Sequence, residues 1–159
     1  MIAGVVLAAG ASSRYGTDPP KQAVHLPAVL TALRDLDDVV VVTGAHDIET
    51  EARTVHCPDW ARGPGASLRC ALAALDAEAA VVVLADGPHL DSRAVERVVA
   101  SWRGEGGDVV AASYDGVRLH PVLIARGKWN DVPDEGARAL PARLVDCSDL
   151  TPPGDVDVR

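Results

Sequence analysis

The chain of 159 residues has no phenylalanine, one methionine, three tryptophans and two tyrosines, so aromatics make up only 3% of it. A core of this composition must be built from Ala, Val and Leu, which suits close layers of helix on sheet. Long apolar runs are also missing. None reaches the roughly 18 residues of a membrane-spanning helix, which excludes that class. The opening MIAGVVLAAG has no basic stretch ahead of its apolar residues and runs into a glycine loop, so it does not read as a secretory leader. Positive charge is in the minority, 15 basic against 23 acidic residues for a net charge of −8, which argues against nucleic acid as a partner. Cysteine is scarce and odd in number (Cys57, Cys70, Cys147), with no zinc-like spacing. Unpaired thiols in a cytoplasmic protein follow. What is present is ordinary for a globular chain, 48% hydrophobic and 24% charged, and excludes disorder. The length suits one domain, 1–159.

Ile2 to Ala8 is an apolar run that ends at glycine, the pattern of a buried parallel strand. Gly10 to Lys21 reads as a loop. Leu26 to Leu36 has apolar residues at helical spacing, with Pro27 in its first turn. Val39 to Val42 is a second strand, His46 to Ala52 a short helix, and Thr54 to His56 a short strand. Trp60 to Gly65 is loop and Ser67 to Leu75 helix. Ala80 to Leu84 is a third buried strand, broken by Asp86-Gly87-Pro88, and Asp91 to Trp102 is a helix capped by Asp91 or Ser92. The alternation of strand and helix predicts an α/β fold, a mostly parallel sheet with helices on both faces. Asp108 to Tyr114 and Val117 to Ala125 then form a β-hairpin on Asp115-Gly116. Gly136 to Leu144 is a last short helix.

In open α/β sheets, ligands bind beyond the carboxyl ends of the strands. Two loops fall there, after Leu7 and after Leu84. The first runs Leu7-Ala8-Ala9-Gly10-Ala11-Ser12-Ser13-Arg14 and reaches Lys21. Its glycines let several N–H groups point into one hollow, and Arg14 and Lys21 add positive charge, an arrangement suited to a triphosphate. A surface turn with solvated charges has the same composition. The Walker A and Gly-x-Gly-x-x-Gly patterns are both absent.

The letters of this loop resemble LAxGxSxRMGxxK, the signature of the MobA-like nucleotidyltransferases, which include the molybdenum cofactor guanylyl- and cytidylyltransferases. Pro58-Asp59-Trp60-Ala61-Arg62-Gly63 with Gly65-Ala66-Ser67-Leu68-Arg69 is similar to the family's NPxWxxGxxxSLRxG. Ala85-Asp86-Gly87-Pro88 is similar to ADQP, His120-Pro121-Val122-Leu123 to GHPVLF, and Asp134-Glu135-Gly136-Ala137-Arg138 to GDEGAR. The motifs stand in family order along most of the chain.

The resemblance implies a single-domain, three-layer GT-A/Rossmann-like fold and a magnesium-dependent enzyme, with manganese as an alternative ion. Such an enzyme moves a nucleoside monophosphate from a nucleoside triphosphate to a phosphorylated small-molecule acceptor and releases pyrophosphate. Molybdopterin is the implied acceptor and a molybdoenzyme a further partner; the chain is expected as a monomer or weak dimer. Arg14, Lys21 and Asp86 are the implied catalytic residues, and Asp86 with Asp157 the metal carboxylates. Leu7, Ala8, Ala9, Gly10, Ser12, Ser67 and Arg69 are the implied nucleotide contacts. His120 is placed on the acceptor side, with a buried hydrogen-bonded histidine as the alternative. Asp86 also reads as a turn residue, Arg69 as a solvated helix arginine, and Asp134 and Glu135 as caps for the helix that follows. The guanylyl branch carries Ala-Gly where this chain has Ala8-Ala9, and the cytidylyl branch Ala-Ala, which favours CTP over GTP. Tyr15 replaces the family's Met, and the segment Ala23 to Pro27 is shorter than usual. Two rivals follow: a nucleotide-binding sensor or cofactor-insertion partner with weak catalysis, and a sugar-phosphate nucleotidyltransferase.

Overall fold

The computed structural model describes residues 1–8, 25–45, 48 and 50–154. Its centre is a seven-stranded sheet of order β3-β2-β1-β4-β6-β5-β7. The strands are β1 (Ile2–Ala8), β2 (Asp38–Thr43), β3 (Arg53–His56), β4 (Ala79–Leu84), β5 (Val109–Tyr114), β6 (Val117–Ala125) and β7 (Arg143–Asp146). β6 alone runs against the others, antiparallel to β4 on one side and to β5 on the other.

The apolar runs of β1, β2 and β4 do not alternate with polar residues because both faces of the sheet are covered. The period of two instead sorts residues between the two layers. Ala3, Val5, Val40, Val42, Ala80 and Val82 pack with helix α2 (Pro64–Leu72), through Leu68, Ala71 and Leu72. Val6, Val41, Val81 and Val83 face the opposite way, onto α1 (Leu26–Ala32) and α3 (Ser92–Glu105), through Val29, Val95 and Val98. The result is the three-layer α/β sandwich expected, its core dominated by Ala, Val and Leu.

The hairpin forms as predicted, with Asp115 at φ 53 and Gly116 at φ 82, the left-handed pair of a two-residue connection. Asp91 caps α3, its carboxylate accepting from the Arg93 amide at 2.8 Å. Other expectations are corrected. Gly136 to Leu144 is not a helix: a 3-10 turn, Ala137–Ala139, is followed by Pro141 and then by β7, which pairs in parallel with β5. Proline cannot carry the helix on, and the alternating exposure of Arg143–Asp146 fits an edge strand. The helix at Leu26 stops at Ala32 rather than Leu36; beyond it Leu33, Arg34 and Leu36 donate to carbonyls three residues back, so the chain tightens into turns. Pro64 starts α2 three residues before Ser67, and the helix ends at Leu72 rather than Leu75, while Trp60–Arg62 is a 3-10 turn rather than open loop. At Thr50–Ala52 there is no helix, because the Thr50 hydroxyl accepts from the Ala52 amide at 3.2 Å and offers the backbone a competing bond. Residues 46, 47 and 49 of that segment lie outside the described residues.

Candidate functional site

The carboxyl ends of β1 and β4 are brought together by register. Leu7 is level with Leu84, and the ladder runs one step further, with the Ala85 amide donating to the Leu7 carbonyl at 3.1 Å. The Gly87 amide then donates to Leu84 O and turns the chain, which leaves Asp86 at the apex of a turn just past the end of the sheet. Leu7, Ala8 and Asp86 therefore share one edge. Ala9, Gly10, Ser12, Arg14, Lys21 and Asp157 lie outside the described residues. Residues 152–154 return to this edge: the His89 amide donates to Pro153 O at 2.9 Å, and Gly154 O lies 3.4 Å from where a Gly87 Cβ would stand.

His120 reaches the same edge from β6. Val82 pairs with Val122, so two residues along the antiparallel ladder His120 comes level with the end of β4. Its peptide to Pro121 is cis, and its carbonyl accepts from the Tyr114 hydroxyl at 2.9 Å. The residue borders a cleft of about 400 Å³ on one side and a hollow of about 210 Å³, closed by Pro152 and Pro153, on the other. Desolvation pushes its imidazole down to about 4, helped by the Arg118 charge and opposed by Asp86. His120 is thus neutral near pH 7. By exposure the residue is half-buried, and it lines the cleft.

Ser67 lies in the second turn of α2, is 2% exposed, and its hydroxyl makes no hydrogen bond among the described residues. Arg69, two residues further along α2, is half-buried and not free. Its terminal nitrogens donate to Val132 O and to Asp134 Oδ1, both at 2.6 Å. Arg62 adds a longer bond to the other carboxylate oxygen at 3.4 Å. Hydrogen bonding from Arg69, with the nearby Arg62 charge, holds the Asp134 carboxyl below its ordinary value. The expected capping role of Asp134 is therefore corrected: the residue ahead of the 3-10 turn is Gly136, no side chain caps that turn, and Asp134 joins two arginines instead.

The chain belongs to the MobA-like NTP transferase family. The profile of the MobA-like NTP transferase domain matches residues 4–144. Among solved structures, a homologue of Mycobacterium tuberculosis Rv0371c from Mycobacterium sp. strain JC1 is 27% identical, with a TM-score of 0.78 over 98% of this chain and 90% of that one. Rv0371c of M. tuberculosis H37Rv in complex with manganese is 25% identical, with a TM-score of 0.76 over 99% of this chain and 93% of that one. A nucleotidyl transferase from Methanothermobacter thermautotroptrophicus shares the fold at 21% identity and a TM-score of 0.66, over 86% and 78% of the two chains. No curated protein matches the chain. No helix among the described residues is long and apolar enough to cross a membrane, and the three cysteines are free thiols.

Within this MobA-like domain two of the family's motifs prove to be one structural unit. The Gly65 amide donates to Asp134 O at 3.0 Å. A Cβ on Gly65 would stand 1.6 Å from Pro133 O, and one on Gly63, at φ +132, 2.4 Å from Asp134 O. The two backbones touch where only glycine fits. In the sequence the two segments read as separate contact sets. The signal that could have joined them was glycine in both, each marking close approach of another chain. Arg118 was also missed. It donates to Leu140 O at 2.6 Å and Ala137 O at 2.9 Å, tying the 3-10 turn to β6.

Proposed function

We propose that the chain transfers a nucleoside monophosphate, CMP by preference, from a nucleoside triphosphate to a phosphorylated acceptor, molybdopterin, and releases pyrophosphate. The observation that carries this is the convergence of Leu7-Ala8, Asp86 and His120 at one sheet edge beside an apolar cleft, in a chain of this family. A phosphate oxygen of the acceptor attacks the α-phosphorus; the bond to the β-phosphate bridging oxygen breaks and the electron pair leaves with pyrophosphate. The acceptor phosphate is already a nucleophile, so no strong base is required, and a neutral His120 is compatible with that. The demand is to bring anions together in line, which is met by positioning and charge.

Asp86 is the residue to hold the divalent ion, with Asp157 as its partner. Among the described residues no group of three or more His, Cys, Asp or Glu gathers. That donor set fits magnesium, which commonly takes one or two protein carboxylates and completes its shell with substrate phosphates and water. When bound, the ion supplies neutralisation of phosphate charge. The manganese complex of the M. tuberculosis relative supports a divalent ion here. Gly10, Ala9 and Ser12 cradle the triphosphate, Arg14 and Lys21 offset its charge and that of the leaving pyrophosphate, and the buried Ser67 hydroxyl is available to the nucleotide. Arg69 acts by fixing the Asp134 loop, with its Nε left to reach the nucleotide. Alanine rather than glycine at position 9 supports the preference for a one-ring base, an effect of about 1–3 kcal/mol.

The test is pyrophosphate release with Mg²⁺, molybdopterin and each of CTP, GTP and ATP in turn. CTP is expected to be the best donor, Ala9→Gly to erode that preference, and Asp86→Ala to lower turnover by more than about 100-fold. Absence of pyrophosphate with every triphosphate, or a fully active Asp86→Ala variant, refutes the assignment.

A further inference from the structure

Two of the three free thiols meet away from the cleft, on the α2 side of the sheet. Cys57 follows directly on β3 and is 2% exposed, and Cys70 lies half-buried in the last turn of α2. Each thiol donates to a carbonyl beside the other cysteine: Cys57 Sγ to Ala66 O and Cys70 Sγ to His56 O, both at 3.7 Å. Ala66 stands one helical turn before Cys70. A helical side chain leans back over the turn that precedes it, so the Cys70 sulfur lies over the carbonyl that the Cys57 sulfur already touches. The two side chains are also within hydrogen-bonding contact of each other. The third thiol, Cys147, is fully buried beside Arg97 in the opposite layer and has no part in this pair. What the pair brackets is the segment Pro58 to Arg69, which carries Gly63 and Gly65 against the Asp134 loop and Ser67 and Arg69 on α2.

We propose that Cys57 and Cys70 are a redox-sensitive pair that closes to a disulfide, stapling α2 to the end of β3 and enclosing the segment between them. The oxidant is a low-molecular-weight disulfide. The thiolate of Cys70, the more exposed of the two, attacks one of its sulfurs; that S–S bond breaks and one small thiol leaves with the electron pair. Cys57, deprotonated in turn, attacks the Cys70 sulfur of the mixed disulfide, forms the Cys57–Cys70 bond and expels the second small thiol. Two electrons and two protons pass from the cysteines to the two small thiols. Burial, the neighbouring Cys57 and the Asp59 charge raise the Cys70 thiol above its ordinary value. Little thiolate is therefore present to stabilise the reduced pair, the reverse of the low-pKa cysteines that make a disulfide strongly oxidising. The bond forms slowly and resists reduction once made. No step of the nucleotide transfer uses either sulfur, so the pairing stands or falls apart from that reading.

The test is incubation of the full chain with millimolar oxidised glutathione to completion, alkylation of the remaining thiols, and tryptic mapping without reduction. Cleavage after Arg53, Arg62, Arg69, Arg93 and Arg143 puts Cys57, Cys70 and Cys147 on three different peptides. One linked species joining the Cys57 and Cys70 peptides is expected, with Cys147 alkylated, and dithiothreitol is expected to restore all three alkylated peptides. Closing a loop of this length is expected to raise the melting temperature by about 6–12 °C over the reduced chain. Cys57→Ser removes the second thiol of the exchange and is expected to stop at a glutathione adduct on Cys70, with no such rise. Cys147→Ser is expected to close the pair as the parent does. Three alkylated cysteines after oxidation, a bond that involves Cys147 or joins two chains, or a linked pair whose oxidised form melts no higher than its reduced form overturns the proposal.

Discussion

Substituting Gly65 by alanine tests the interlock between the two family motifs directly. The new Cβ would meet Pro133 O at 1.6 Å and Pro133 C at 2.6 Å, both backbone atoms, and real Cβ contacts almost never fall below 3.0 Å. No rotamer relieves this, because the clash precedes the first side-chain torsion. The segment from Pro133 to Gly136 must retreat. That movement breaks the hydrogen bond from the Gly65 amide to Asp134 O and loosens the one from Arg69 to Asp134. Overpacking costs about 1–3 kcal/mol and the lost backbone bond about 1. The Arg69–Asp134 pair is partly exposed and adds less than about 1. Together the loss is about 2–5 kcal/mol, a large share of the roughly 5–15 kcal/mol by which such domains are stable. Gly104 supplies the control. It lies inside α3 with nothing within 4 Å of its Cβ position. There the same substitution is expected to stabilise by about 0.5–1 kcal/mol, because alanine restricts the unfolded chain and favours helix. Urea unfolding of both variants against the parent measures the difference at constant m. A Gly65→Ala variant as stable as the parent, or as stable as Gly104→Ala, refutes the close approach.

The acid limb of stability should carry a signature of His120. Folded, it is held at about 4, against 6.5 for an ordinary histidine. The unfolded chain therefore takes the proton first, so this residue costs nothing above about pH 6.5 and destabilises progressively as pH falls from there to about 4. The ceiling is about 3 kcal/mol at 1.36 kcal/mol per unit. In metal-free buffer His120→Asn is expected to lose less stability than the parent between pH 6.5 and 4.5; parallel profiles would remove the desolvated imidazole from the account. Asp91→Ala should cost about 1 kcal/mol at neutral pH through loss of the α3 cap. Because bonds from Arg93 hold the Asp91 carboxyl below its ordinary value, that difference should persist until strongly acid pH and then vanish. Chemical denaturation at pH 7 and pH 2 reads it, and a difference that disappears by pH 5 contradicts the cap.

The sequence by itself determined the sheet and its layers. Apolar runs such as Ile2–Ala8 and Ala79–Leu84 can be buried on both faces only in a parallel sheet covered by helices, and Asp115-Gly116 leaves little choice but a tight hairpin. It also placed Asp86 at a strand end, because the β-branched run stops one residue before the turn. Periodicity is a local property and misled where two local patterns compete. Gly136 to Leu144 has apolar spacing a short helix could use, but Pro141 and the open edge of β5 make the second half a strand. Long-range partners carry no local mark at all. That Arg69 faces Asp134, that Gly65 lies under Pro133, and that Arg118 grips the turn carrying Arg138 depends on distances across the folded chain. Only the tertiary structure separates an arginine that binds its own loop from one left to solvent, since both are the same residue type at the same kind of exposed position until the fold supplies or withholds a carboxylate or carbonyl.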